Sequence, residues 1–225
     1  TDNWLTELLF DRLYRVGADG LPQPWAAENH EWRDETTIAV KLRSGMEWHD
    51  GKPVTAEDVA FSYQATTGGE APMSAPFGKN ISDVTIESDN TIVFSLTTPS
   101  ASFMTSTLAK INLIPKHVWE PILADLSTKD ENAESYQEDM PIGSGAYKFV
   151  RWLPNEEIVL EANTGHFNAP KAERFILRQV PNAEAALGML RSGELNFLTD
   201  FQGDPQVLLD AAEVDGDLEV VSTVD

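Results

Sequence analysis

The stretch MEWHDGKPVTAEDVAFSY (46–63) decides how this chain is read, because residues 49–58 hold one histidine and three carboxylates. Such a density suits a metal or catalytic cluster, or the start of a helix. Local chemistry favours the helix. Asp50-Gly51 is a turn dipeptide, since glycine tolerates positive φ and a short carboxylate can bond nearby backbone. Pro53 pushes Lys52 toward an extended conformation. Thr55 then stands at an N-cap with Asp58 three residues on, a variant of the capping box. Glu57 and Asp58 lie in the first turn, where free amides and the helix dipole favour negative charge. Ala56, Val59, Ala60 and Tyr63 follow at helical spacing and form the buried stripe. A metal site on His49 and Asp50 would need further ligands, and the sequence places none nearby.

Outward from this helix the pattern is mixed α and β. Ile38, Val40 and Leu42 alternate with Thr37, Ala39, Lys41 and Arg43, a half-buried strand. Ile92, Phe94 and Leu96 repeat that pattern after an Asp89-Asn90 turn. Between the strands, residues 67–78 are rich in turn formers. Leu5, Leu8, Leu9 and Leu13 mark an N-terminal helix, closed by the Ala18-Asp19-Gly20 turn and the breakers Pro22 and Pro24. Residues 127–141 are polar and acidic and read as an exposed connection. Beyond them, 147–152 and 158–162 read as strands joined by a Pro154-Asn155 turn. Asn182 caps a helix carrying Ala183, Ala186, Leu187 and Leu190, and Gly193 ends it. The apolar run 195–198 reads as a short buried strand. No internal repeat is evident.

Composition narrows the function. The 225 residues are 41% hydrophobic, enough for one large or two small globular units. No apolar run reaches the length of a membrane span, and no stretch reads as a signal peptide. The absence of cysteine removes disulfides, thiol catalysis and thiolate metal sites together. Sixteen basic against 37 acidic residues give a net charge of −21, spread along the chain. That charge repels phosphate backbones, so nucleic acid is not an expected partner.

Enzyme templates fail. Gly143-Ser144-Gly145 lacks the third glycine and following helix of a dinucleotide loop. It also lacks the G-x-S-x-G of a nucleophile elbow, and a strand follows it. His30, His49, His117 and His166 show no ligand spacing, and Glu156-Glu157 reads as a solvated pair in a hairpin turn.

Five segments in order resemble one family. They are LRSGMEWHDGKPVTAEDVAFSY (42–63), PIGSGAYKFVRWLPNEEIVLEAN (141–163), LIPKHVW (113–119), LRSGELN (190–196) and LFDRLY (9–14) with the Asp19-Gly20 and 22–28 segments that follow it. Together they are similar to the solute-binding proteins of bacterial ABC transporters of the peptide/nickel type, family 5. Asn196, where the family usually has Asp, and TGHF (164–167) depart from its pattern.

The resemblance implies a periplasmic-binding-protein type II-like α/β lobe, with a mixed sheet and an inserted α+β subdomain. Residues 1–29 and 143–205 would form the scaffold of lobe one, 30–142 the inserted subdomain, and 206–225 the start of a crossover toward a second lobe. Family members are about twice as long, so the chain is expected to be the first lobe of a longer protein. The resemblance further implies a non-enzymatic, monomeric protein that needs no cofactor. It would capture a di- or oligopeptide-like solute and deliver it to an ABC permease in the inner membrane, from the periplasm or from a lipid anchor. Oligosaccharides, opines and nickel chelates are the alternatives within the family, and a hydrolase is the alternative outside it. The six tryptophans (4, 25, 32, 48, 119 and 152) offer sugar-stacking faces or, more simply, core. Expected solute contacts are Thr1, Asp2 and Asn3 at the first helix, Met73 and Phe77 in an aromatic-bearing loop, and Thr199, Asp200 and Phe201 at the end of the last strand. Helix starts and strand ends offer amides and carboxylates for a peptide's charged termini.

Overall fold

Hydrophobic alternation and capping chemistry are both realised in the computed structural model, which describes residues 3–136, 139–198, 203–214 and 218–220. Helix α1 spans Asn3–Leu9, followed by the short strands β1 (Tyr14–Val16) and β2 (Pro22–Pro24), which pair antiparallel. Strands β3 (Ala27–Trp32), β4 (Thr37–Leu42), β5 (Ile81–Ser88) and β6 (Thr91–Leu96) form an antiparallel sheet in the order β3-β4-β6-β5. Helix α2 (Ala56–Gly68) and the four-residue α3 (Ala75–Gly78) lie in sequence between β4 and β5. A π-helical turn, Met104–Leu108, and helix α4 (Lys116–Thr128) follow β6. Strands β7 (Tyr147–Leu153), β8 (Glu157–Ala162) and β9 (Arg174–Arg178) form a third sheet in that order. Helices α5 (Ala183–Arg191) and α6 (Pro205–Val214) complete the described elements.

The chain divides into two compact units, one of residues 1–152 and 159–176, the other of residues 153–158 and 177–225. The core of the first gathers Ile38, Val40 and Leu42 of β4, Ile92, Phe94 and Leu96 of β6, and Val59 and Tyr63 of α2. Tyr63 meets Phe94 edge-on at 4.8 Å between ring centroids, and Phe94 meets Phe103 at 6.0 Å. Each fully buried side chain of this size contributes roughly 1.5–3 kcal/mol of transfer free energy.

Helix α2 starts as its sequence dictates. The Thr55 backbone N–H donates to Asp58 Oδ2 at 2.9 Å, and the Asp58 N–H donates to Thr55 Oγ1 at 3.4 Å. Ala56, Val59, Ala60 and Tyr63 are all buried. The helix closes on Gly69 in the left-handed region, at φ 91°. The Pro154-Asn155 turn holds Asn155 at φ 62°, and Asn182 caps α5 by accepting from the Ala185 N–H at 2.8 Å.

Four expectations are corrected. Helix α1 ends at Leu9, and Leu13 is buried in the connection to β1 instead. The turn-rich segment 67–78 holds the end of α2 and all of α3, because Pro76 is tolerated in a first helical turn. The acidic connection 127–141 includes the last turn of α4 and a 3₁₀ turn at Ala133–Ser135, whose preceding Asn132 side chain accepts from the Glu134 N–H. Residues 195–198 form no strand and Phe197 is 67% exposed; the Leu195 N–H turns back to the Met189 carbonyl at the end of α5 at 3.1 Å, a bond that no strand partner makes.

Candidate functional site

Of the expected solute contacts, Thr1, Asp2, Thr199, Asp200 and Phe201 lie outside the described residues. Asn3 opens α1. Met73 and Phe77 stand together on the connection from α2 to β5, and both reach solvent, at 77% and 39% exposure. This connection is held by two hydrogen bonds and by the packing of α3 on α2. The Met73 N–H donates to Glu134 Oε1 at 2.8 Å, and Thr107 Oγ1 in the π-helical turn donates to the Phe77 carbonyl at 2.7 Å. A Cβ on Gly78 would come within 3.1 Å of Thr66 Cγ2 on α2, so α3 lies hard against that helix. A fixed backbone carrying an adaptable thioether and an aromatic ring can accept varied apolar groups.

The signature stretch and the G-S-G segment bind each other. His49 Nδ1 accepts from the Gly143 N–H at 3.2 Å, and its Nε2 stands 3.0 Å from the Gly145 carbonyl oxygen. A neutral ring with the proton on Nε2 satisfies both bonds. Burial holds the His49 pKa below its ordinary value, so the neutral form is favoured. The His49 backbone N–H also donates to the Gly143 carbonyl at 2.8 Å, and Asn163 Nδ2 donates to the Gly145 carbonyl at 3.1 Å. Both glycines are demanded by α1. A Cβ on Gly143 would lie 1.8 Å from the Leu9 carbonyl oxygen, and one on Gly145 would lie 2.5 Å from that of Leu8. The Gly145 N–H donates to the same Leu9 oxygen at 2.9 Å. The G-S-G segment is therefore a docking platform for a helix end.

Beside this platform lies a cavity of about 420 Å³, bounded among others by Met46, Trp48, Ser144, Lys148, Asn163 and Phe167. The Ser144 hydroxyl is buried without a partner among the described residues, and no solvent reaches it. His49 has both ring nitrogens engaged with glycine backbone, so this ring is not free to act as a base toward that serine.

The other histidines are also engaged. His166 Nε2 faces Asp11 Oδ1 at 3.2 Å, and Trp25 Nε1 donates to that same oxygen at 2.7 Å. The His166 ring lies 4.1 Å from that of Phe167, so the TGHF departure fills a structural nest. His117 Nε2 stands 2.8 Å from Asp50 Oδ2. His30 Nδ1 lies 2.7 Å from the Tyr14 hydroxyl, whose pKa burial pushes up to about 12. No three His, Asp or Glu side chains among the described residues are grouped to hold a metal ion. Of the tryptophans, Trp48 is buried, whereas Trp32 and Trp152 reach solvent. Sequence patterning alone missed the His49–glycine clamp, because its partners are 94 and 96 positions apart.

Comparison with known proteins places this geometry. The family described as bacterial extracellular solute-binding proteins, family 5 (middle region), matches residues 22–222. The oligopeptide-binding protein AppA of Bacillus subtilis is 31% identical over 163 residues, 70% of this chain and 29% of that protein. The solved structure of B. subtilis AppA in complex with a nonapeptide matches with a TM-score of 0.79 at 26% identity, covering 94% of this chain and 41% of that one. NikZ from Campylobacter jejuni, solved with Ni(L-His), matches with a TM-score of 0.73 at 26% identity, over 84% of this chain and 37% of that one. The chain thus spans between 29% and 41% of the length of these proteins.

Proposed function

We propose, from the premise that this chain belongs to the bacterial extracellular solute-binding proteins of family 5, that it is the first-lobe portion of an importer's solute-capturing component. The observation that carries this reading is the family match across residues 22–222, joined to relatives named for oligopeptide binding. The solute proposed is a di- or oligopeptide, and the receiving partner an ABC permease. The setting is the periplasm or the outer face of the cytoplasmic membrane. Residues 1–29 and 143–205 act as scaffold, 30–142 as an inserted subdomain, and 206–225 lead toward a second lobe. Solute contacts are assigned to Thr1, Asp2, Asn3, Met73, Phe77, Thr199, Asp200 and Phe201. Exposure of Met73 and Phe77 on a firmly held backbone supports their part in this set. The protein acts as a monomer and not as an enzyme, and its acidity disfavours nucleic acid.

Mass spectrometry of solute released from the intact protein after gentle purification tests the reading. Peptides are the expected content, and calorimetry with the recovered peptide is expected to weaken about tenfold in Phe77→Ala, the loss of one aromatic contact. Recovery of no solute, or turnover of the peptide, would count against it. A second reading is capture of a nickel chelate or oligosaccharide. The likeness to NikZ and the exposed faces of Trp32 and Trp152 favour it, and the same recovery distinguishes it.

A further inference from the structure

In a chain of net charge −21, one depression on the first unit is cationic. It has a volume of about 120 Å³ and is bounded by Glu7, Arg12, Arg15 and Lys110, with Phe10 and Val16 as apolar walls. Three basic side chains therefore share one space with one carboxylate. That carboxylate is already used, since Arg12 Nη1 donates to Glu7 Oε1 at 2.6 Å. Arg12 is also fixed by Nε to Asn112 Oδ1 at 2.8 Å and by Nη1 to the Ala109 carbonyl at 3.1 Å. This leaves its Nη2 without an acceptor among the described residues. The Arg15 guanidinium carbon lies over the Trp25 ring, 3.5 Å from its centroid, and its Nη2 donates to the Glu7 backbone carbonyl at 3.3 Å. Burial is the main reason its guanidinium is held below its ordinary pKa, with Asp11 and Glu7 acting against that trend. Asp11 is fully buried and committed by Oδ1 to Trp25 and His166. Lys110 is exposed, with no acceptor for its ammonium among the described residues.

We infer that this depression is a binding site for a doubly charged tetrahedral oxyanion, either inorganic phosphate or the phosphate of a small monoester. Pre-oriented guanidiniums suit such an anion because their planar forks offer paired donors, while the ammonium adds a mobile charge at the rim. Two rigid arginines, one braced by three bonds and one by stacking, need little ordering on binding. Glu7 is engaged by Arg12, and the buried Asp11 acts on Arg15 from outside the depression, so the anion is favoured by the guanidinium donors and by the exposed Lys110 ammonium. The site is independent of peptide capture, for it uses none of the residues assigned to the solute.

The test is titration of the intact protein with inorganic phosphate at low ionic strength, followed by tryptophan fluorescence and by calorimetry. Saturable binding is expected, with the fluorescence change lost in Trp25→Phe, because Arg15 lies on that ring. Lys110→Glu, at an exposed position that spares the fold, is expected to weaken binding by about tenfold or more, since it replaces an attraction with a repulsion. Arg15→Lys should weaken it while preserving charge. Glycerol phosphate in a parallel titration separates a free ion from a carried phosphate: binding of both admits the monoester, and binding of inorganic phosphate alone confines the site to the ion. Absence of saturable phosphate binding, unchanged affinity in Lys110→Glu, or equal affinity for acetate would each overturn the inference.

Discussion

A Cβ at Gly143 would stand 1.8 Å from the Leu9 carbonyl oxygen, whereas one at Gly188 would meet nothing within 4 Å. These two glycines should therefore respond oppositely to the same change. Gly143→Ala is expected to cost about 3 kcal/mol or more, because backbone of α1 must retreat. Gly188→Ala, inside α5, should gain roughly 0.5–1 kcal/mol through helix propensity. Urea denaturation of both variants checks the contrast. His49 gives a pH signature. Its pKa is lowered in the folded protein mainly by burial, so the unfolded chain binds its proton more readily. Stability from this group is fully present above the unfolded value of 6.5, and it falls as pH drops from there toward the folded value. Protonation also turns Nδ1 into a donor facing the Gly143 N–H. His49→Ala should cost about 1–3 kcal/mol at neutral pH, by stranding the Gly143 N–H and leaving the Gly145 carbonyl with Asn163 as its side-chain partner, and should flatten the decline in stability between pH 7.5 and pH 5. An unchanged pH slope would reject the neutral clamp.

At the scale of elements, what could be read from sequence was what is local. The capping box of α2 joins residues three apart, and the Asn182 cap works at the same range. Strands β4 and β6 alternate clearly because they lie in the middle of the β3-β4-β6-β5 sheet, with one face on the core. Strands β3 and β5 are its edges and expose most of their residues, so no alternation marked them. Asp58 does more than its capping pattern suggests. Its carboxylate accepts from the Thr55 N–H and hydroxyl, from the Lys116 N–H at 2.9 Å and from Trp48 Nε1 at 3.4 Å. It thereby ties the start of α2 to the start of α4 and to the signature tryptophan. Thr55→Ala should cost about 0.5–2 kcal/mol as an ordinary cap loss. Asp58→Ala should cost at least about 3 kcal/mol, because it removes the shared acceptor of one buried and three half-buried donors together. Thermal unfolding that ranked the two alike would reduce Asp58 to a simple cap.

Across the whole molecule, the motifs that resembled the family were visible one by one, but not what they do for each other. The WHDG turn and the G-S-G segment are separated by 94 positions where His49 meets Gly143, and Asp11 and His166 by 155. No local pattern encodes such a bond. The same limit applied to the arginines of the cationic depression, since Arg12 and Lys110 come together only in the fold. Of the assigned solute contacts, the loop carrying Met73 and Phe77 was readable as an aromatic-bearing turn. Its anchoring was not, because the bonds that hold it come from Thr107 and Glu134. These separations also order events in time. The β5-β6 hairpin closes over two residues, while the glycine platform must wait for a loop of nearly a hundred to close, with the entropy that entails. The sheet and α2 should therefore form before the platform seats α1, leaving His49 contacts absent from the rate-limiting barrier. In stopped-flow refolding, His49→Ala is expected to leave the folding rate nearly unchanged and to express its cost as faster unfolding. The clamp that locks the finished structure would thus be its last stitch, setting how long the native state lasts and not how fast it arrives.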